Sequence, residues 1–215
     1  MSQIEQVPAK EKKATGFFSD AFYKAFRALF RPTTRFLKAL GVTPNAITLL
    51  SLVFGLITGI EIARDHLWNS MLFGFLMSFS DIVDGQLAKE HGLATRFGGI
   101  LDSTIDRYNE FIIFAGLGAR FYFLAEPVWM LVCVIACANS IVISYVKARA
   151  EAEGFECNAG LLQRPERLAL IGFAVVFDGF LMKPVLAVLA IGTLFTVLTR
   201  IMHVKRQADR GLGNK

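Results

Sequence analysis

The sequence predicts an all-α integral membrane protein, with six transmembrane helices preceded by an amphipathic helix at the membrane surface. Three observations carry that expectation. Of the 215 residues 54% are hydrophobic, 20 of them Phe, and mean hydropathy is +0.49, more apolar than a soluble domain of this size. Apolar runs recur at 46–62, 67–79, 100–123, 128–146, 168–182 and 185–201. Several fall short of the roughly 20 residues that a ~30 Å hydrocarbon core requires, so their charged flanks must continue the same helices. Lys and Arg crowd one set of connections, whereas the other keeps only Arg64, Arg120 and Lys183. By the positive-inside rule that asymmetry places both termini, and the polar helix ends, in the cytosol of a cell bounded by its cytoplasmic membrane. A net charge of +5 spread along membrane flanks does not make a nucleic-acid surface.

The elements follow in order. Residues 1–16 are polar and Lys-rich, read as a disordered tail with no signal peptide. In 17–41, Phe17, Phe18, Ala21, Phe22, Ala25, Phe26 and Leu29 share one helical face, and Lys24, Arg27 and Arg31 lie on or near the other. This pattern suits a helix lying in the headgroup plane, with a second short piece beginning at Pro32. "GVTPNAIT" then reads as a helix stop and start, with Gly41 ending one helix, Thr43 capping the next and Pro44 in its first turn. The transmembrane domain spans 42–206, and 207–215 form a cytosolic tail. The second span descends from Leu67 to Lys89, turns tightly through Gly92, and the third returns from Arg96. Cys133 and Cys137 lie in an apolar span and Cys157 in a cytosolic loop, a set without zinc spacing that predicts reduced thiols. Asn139 is expected to bridge helices, and Trp68 and Trp129 to mark the outer interface.

Four carboxylates interrupt the oily pattern. Asp81, Asp84, Gly85 and Ala88 fall on one face of the second span; Gly98, Asp102 and Asp106 fall on one face of the third. The short turn makes those faces antiparallel neighbours. A single charged acid in a membrane helix costs roughly 2.5–3.5 kcal/mol even on insertion scales, so four together demand neutralisation. Lys89, Arg96 and Arg107 are too few and too peripheral. An all-oxygen set suits Mg²⁺, Mn²⁺ or Ca²⁺. Gly85, Ala88, Gly98 and Gly99 either allow close helix packing or clear room for a ligand. Asn45 and Thr48, on the first turns of the first span, read equally as local caps or ligand contacts.

The spacing D-x2-D-G-x2-A-x9-G-x3-D-x3-D, filled by Asp81, Asp84, Gly85, Ala88, Gly98, Asp102 and Asp106, resembles the signature of the CDP-alcohol phosphotransferases. "TPNAIT" is similar to that family's first-helix entry, and six spans with a juxtamembrane helix agree with its architecture. The resemblance implies transfer of a phosphate-linked group from a CDP-diacylglycerol-type lipid to an alcohol, with release of CMP. It implies two divalent ions, Mg²⁺ or Mn²⁺, held by Asp81, Asp84, Asp102 and Asp106, and Asp106 as the general base. Donor contacts would come from Asn45, Thr48, Asp81, Asp84, Gly85, Ala88, Lys89, Thr95 and Gly98. Lys89 departs from the family's usual Arg, keeping the charge and losing the planar fork. A homodimer is implied as well.

"SYVKARAE" and "QRPERL" resemble the phosphatidylinositol-phosphate synthase branch, where such sequence forms an acceptor pocket for inositol phosphate. Ser144, Lys147, Arg164 and Arg167 carry over, with Arg200 added by depth. Arg120, at the end of the third span, is expected on the outer side, away from that pocket. Arginines three apart on the first turn of a helix suit a phosphate, although flanking positive charge is an ordinary feature of cytosolic helix ends. Glycerol phosphate, serine or another alcohol remains an alternative acceptor. Of a different class would be a membrane cation transporter, which more naturally sets its acids near mid-membrane on repeated, interrupted helices. A scaffold that has lost catalysis is disfavoured by the complete set of acids.

Overall fold

The computed structural model describes residues 20–211, and the side chains of all of these except 20–28 and 178–179. The expected tail at 1–16 and most of the apolar face of the first helix (Phe17 to Phe26) lie outside the described side chains, as do residues 212–215. Among the described residues seven helices follow one another: α1 (Asp20–Ala39), α2 (Pro44–Ala63), α3 (Leu67–Glu90), α4 (Arg96–Phe123), α5 (Pro127–Ala152), α6 (Arg164–Val176) and α7 (Asp178–Asp209). Three stretches, Pro44–Ala63, Pro127–Ala152 and Phe180–Asp209, are long and apolar enough to cross a bilayer, which makes this an integral membrane protein. Helices α3 and α4 have the length, at 24 and 28 residues, but carry the acids and bases of the central motif. Helix α6 has 13 residues and measures only about 20 Å at 1.5 Å per residue.

Two boundaries differ from expectation. Pro32 does not start a new piece: α1 runs through it, giving up one backbone bond at an exposed position. The fifth apolar run is divided, because α6 stops at Val176, Phe177 leaves helical geometry (φ −108°, ψ 39°), and α7 begins at Asp178. Pro184 is absorbed within α7.

The chain divides into two compact units, Met1–Phe54 with Phe75–Asn109, and Gly55–Gly74 with Glu110–Lys215. In the first, Phe30, Ile47, Val83 and Leu87 form a buried cluster, with the Phe30 and Phe79 rings 5.5 Å apart. Thr34 donates to Glu90 at 2.7 Å, and Arg31 lies 4.0 Å from the same carboxylate, so α1 is fastened to the end of α3. The turn that follows α1 is closed as the sequence suggests: Gly41 takes φ +70°, Val42 N–H reaches the Leu37 carbonyl at 3.0 Å, and Ala46 N–H reaches Thr43 Oγ1 at 3.3 Å.

In the second unit, α2 and α4 cross so closely that a Cβ on Gly116 would lie 2.4 Å from the Gly59 carbonyl oxygen. Backbones approach this near only over glycine, the small-residue contact of membrane helices. Asn139 bridges α5 and α7 as expected, donating to the Ala190 carbonyl at 3.3 Å. Arg120 closes on Asp65 at 2.6 Å, and Lys183 pairs with Glu126 at 2.7 Å near the Trp129 ring. Many side chains of α5 and α7 that face outward are apolar, among them Val134, Ile191, Phe195 and Leu198, which is the surface a lipid-embedded helix presents.

Candidate active site

The acidic motif converges because α3 and α4 are joined by a tight turn. Gly92 adopts φ +66°, Leu93 N–H reaches back to the Ala88 carbonyl at 2.9 Å, and α4 opens at once from Thr95. Asp81, Asp102 and Asp106 then offer carboxylate oxygens that all lie within 4.8 Å of one another, each residue half-buried. Three carboxylates so close would repel one another in a partly dry setting if all were charged, and a cation among them would offset that repulsion. A hard divalent ion with oxygen preference fits this donor set.

Asp84 is held differently from that trio. It is buried, and its carboxylate accepts a short hydrogen bond from the Thr48 hydroxyl of α2. Behind Thr48 runs a buried polar seam, in which Ser51 Oγ donates to the Thr48 carbonyl at 2.7 Å and Asn109 Nδ2 donates to Ser51 Oγ at 3.3 Å. Thr48 is therefore neither a plain cap nor merely exposed to a ligand; it orients one of the four acids.

The glycines separate into two kinds. A Cβ on Gly85 would meet nothing within 4 Å, and the same holds for Gly99. The space beside Gly85 is open, so close helix packing does not explain that residue. Gly98 is different: a Cβ there would come 2.9 Å from Thr95 Oγ1 and 3.1 Å from Asn45 Oδ1. The Gly98 N–H donates to Thr95 Oγ1 at 2.9 Å, making Thr95 a cap of α4. Asn45, Thr95 and Gly98 thus gather at one spot, with Ala88 half-buried and Lys89 exposed at the end of α3.

The second set of candidates lies around the loop from Glu153 to Gln163. Ser144 and Lys147 are half-buried on the last turns of α5, Lys147 being 3.8 Å from Glu151, and Arg164 is the first residue of α6. Arg167 is 1% exposed and fully engaged: Nε and Nη2 donate to the two oxygens of Glu110 at 2.6 and 2.9 Å, and Nη1 donates to the Leu162 carbonyl at 2.9 Å. Arg200, also buried, donates to the carbonyls of Ala159 at 2.9 Å and Ile143 at 2.7 Å. The thiol of Cys157, buried in the same loop, is raised above its ordinary range by that burial, against the pull of Arg200 and Lys147 and with some reinforcement from Glu151.

Sequence reasoning passed over Glu110 altogether. The signal was present: an acid four residues beyond Asp106, entering an apolar stretch, requires a partner. Ser51 and Asn109 carried no comparable signal, since their spacing gives nothing away.

Residues 41–203 match the family model for CDP-alcohol phosphatidyltransferases. The chain belongs to the CDP-alcohol phosphatidyltransferase family. Among curated members of that family it is similar to the phosphatidylinositol phosphate synthase of Corynebacterium glutamicum, 37% identical over 195 residues that cover 83% of this chain and 85% of the relative. The enzyme of the same name from Mycolicibacterium smegmatis is 35% identical over 192 residues, covering 84% and 86%. Among solved structures of the family, the Mycobacterium tuberculosis phosphatidylinositol phosphate synthase (PgsA1) with CDP-DAG bound aligns with TM-score 0.75 at 30% identity, covering 80% of this chain and 92% of that one. The same enzyme in complex with manganese and citrate aligns with TM-score 0.75 at 31% identity, covering 81% and 88%.

Proposed function

We propose that this protein transfers a phosphatidyl group from a CDP-diacylglycerol-type lipid to an inositol phosphate, releasing CMP. The observation that carries this reading is the convergence of Asp81, Asp102 and Asp106 beside the open space at Gly85, within the family's motif. The relatives' shared name and the CDP-DAG seen in one of them support the lipid donor and the phosphorylated inositol acceptor. Asp81, Asp102 and Asp106, joined by Asp84, would hold two divalent ions, Mg²⁺ or Mn²⁺, a choice supported by the manganese bound in the tuberculosis enzyme. When bound, such ions lower the charge density of a diphosphate and of a departing phosphate.

The residues of the chain supply the rest. Gly85 and Gly98 leave room for the cytidine nucleotide, with Asn45, Thr95, Ala88 and Lys89 around it, and Thr48 keeps Asp84 turned to the site. Asp106 accepts the proton of the acceptor hydroxyl as its oxygen bonds to the phosphorus that carries the diacylglycerol. The bond from that phosphorus to the bridging oxygen breaks, and the electron pair leaves with CMP. Ser144, Lys147 and Arg164 receive the phosphate of the acceptor, the N-terminal position of Arg164 on α6 adding the partial positive charge of the helix end. Arg167 and Arg200 line the same region, but their guanidinium groups already hold Glu110 and three backbone carbonyls.

The topology belongs to the same reading: six spans formed by α2 to α7, the site and both termini on the cytosolic side of the cytoplasmic membrane, and a homodimer by analogy with the family. Helix α1 lies at the interface, its exposed Leu29 and Phe36 toward the acyl chains and its exposed Arg35 and Lys38 toward headgroups.

The test is CMP release by the purified protein from CDP-diacylglycerol with Mg²⁺ or Mn²⁺. Inositol 1-phosphate, inositol, glycerol 3-phosphate and serine are supplied singly. Release is expected with inositol 1-phosphate alone, abolished by EDTA and reduced at least a thousandfold by Asp106→Asn. Release with another acceptor only would keep the chemistry and remove the inositol assignment.

A further inference from the structure

We propose that Glu110 is a positioning residue for the acceptor pocket, acting through Arg167 to hold the loop between α5 and α6 in its binding shape; the claim rests on the transferase reading above. The loop from Glu153 to Gln163 has no regular structure, yet Cys157 within it is wholly buried. Side chains of α6 and α7 hold its backbone. Arg167 donates to the Leu162 carbonyl, Arg200 to that of Ala159, and Gln207 exchanges two hydrogen bonds with the backbone of Glu156 at 2.6 and 3.1 Å. The loop joins Lys147 to Arg164, so its shape sets the spacing of the two cations offered to a phosphate.

Arg167 can serve as such a tie only if its charge is met where it lies, 1% exposed. Glu110, 4% exposed, meets it with a bidentate pair that occupies both carboxylate oxygens. Each of the three guanidinium nitrogens therefore already makes one hydrogen bond before any substrate arrives. A buried pair of this kind contributes little net stability, but removing one partner strands a charge. The geometry is that of a strut, and it assigns a role to an acid that lies one turn beyond Asp106 on α4 and has none in the chemistry itself.

The native reporter is Cys157. The rate at which N-ethylmaleimide modifies Cys157, followed by peptide mass spectrometry on the full-length protein in lipid nanodiscs with Mn²⁺, is compared across variants, with Cys133 of α5 as the control for global unfolding. Glu110→Gln is expected to raise modification of Cys157 at least tenfold and leave Cys133 unchanged. In the CMP assay it raises KM for the acceptor about tenfold while kcat and KM for the lipid donor stay within threefold; a general loss of folded enzyme would instead lower kcat alone. The apolar pair Glu110→Leu with Arg167→Met removes the tie to the Leu162 carbonyl together with the stranded charge, so it is expected to leave Cys157 at least tenfold more reactive than in the parent, with Cys133 unchanged. Should Glu110→Gln expose Cys133 as well, Arg167→Lys, which keeps the charge but not the fork, carries the same comparison. Unchanged Cys157 reactivity in these variants overturns the proposal. So does an apolar pair that protects Cys157 yet leaves acceptor KM high, since Arg167 would then touch the acceptor itself. Cys157 behaving as expected in a protein that releases no CMP with any acceptor would keep the strut and remove the transferase reading instead.

Discussion

At the scale of single residues, the two motif glycines make opposite demands and so give a sharp experiment. Gly85 lies inside α3 with open space where a side chain would be, and alanine favours a helix over glycine by about 0.5–1 kcal/mol. Gly85→Ala should therefore fold as well as the parent, with an equal or slightly higher Tm by scanning fluorimetry. If that space is reserved for the nucleotide, CMP release should fall at least tenfold through a higher donor KM. An active Gly85→Ala protein would assign the space to something else. Cys157 supports a second test. Burial raises its pKa above the ordinary 9.0, so the thiolate forms later in the folded state than in the unfolded one. Iodoacetamide labelling of Cys157 should be slower than that of a free thiol at pH 8 and should still be climbing above pH 9. The same shift means that the folded state retains the proton longer, so this group's effect on stability declines as pH rises through that region. Of the site, the sequence made the acids and glycines readable, because spacing on two helices and a short turn determines which faces meet. The division of labour was not readable: Thr48 holding Asp84, and Glu110 holding Arg167, arise from side chains remote in sequence whose contact no periodicity encodes.

At the scale of helices, boundaries were legible where turn chemistry is explicit and were lost where it is not. Gly41, Thr43 and Pro44, or Gly92 and Thr95, announce an end and a start by the backbone angles and caps they supply. The interruption at Phe177 was silent because it has no glycine or proline of its own, whereas Pro184 lies inside α7 without ending it. Two other helix ends use residues with no special signal, since Asp65 and Ala125 adopt positive φ where glycine is usual. The crossing of α2 over α4 was equally silent, as Gly59 and Gly116 are ordinary in an apolar span until their partner is known. That crossing yields its own prediction. Leucine at Gly116 has no volume to enter, with the Gly59 backbone 2.4 Å from the first carbon it would add. Forcing a core apart typically costs about 1–3 kcal/mol, and here backbone rather than a flexible side chain must yield. Gly116→Leu should lower Tm by several degrees and reduce the yield of protein extracted in folded form, whereas Gly172→Leu, with nothing within 4 Å of its Cβ position, should do neither.

For the molecule as a whole, the question is what would let helices that fail a simple membrane criterion enter a bilayer. Helices α2, α5 and α7 meet that criterion on composition. Helices α3 and α4 do not, because each places acids and bases on the stretch that carries the site; α6 is too short. Charge in a membrane helix is tolerated where it faces other protein, water or a metal and is met there; Glu110 is met by Arg167, Arg120 by Asp65 and Asp84 by Thr48. The polar groups thus mark function, and the segments bearing them should span the membrane by virtue of their partners. Six spans then require that both termini share a side, and that the α3–α4 turn and the loop after α5 lie on it. Single cysteines placed at Leu93 and at Asn158 in a protein whose native cysteines are replaced should be labelled by a membrane-impermeant maleimide only in inverted vesicles. Cysteines at Arg64 and Ala125 should be labelled in intact cells. If Leu93 and Ala125 report from the same side, α4 does not cross the membrane. The acidic site would then lie on a helix that turns back within it, and the cytosolic route for a phosphorylated acceptor would have to be abandoned.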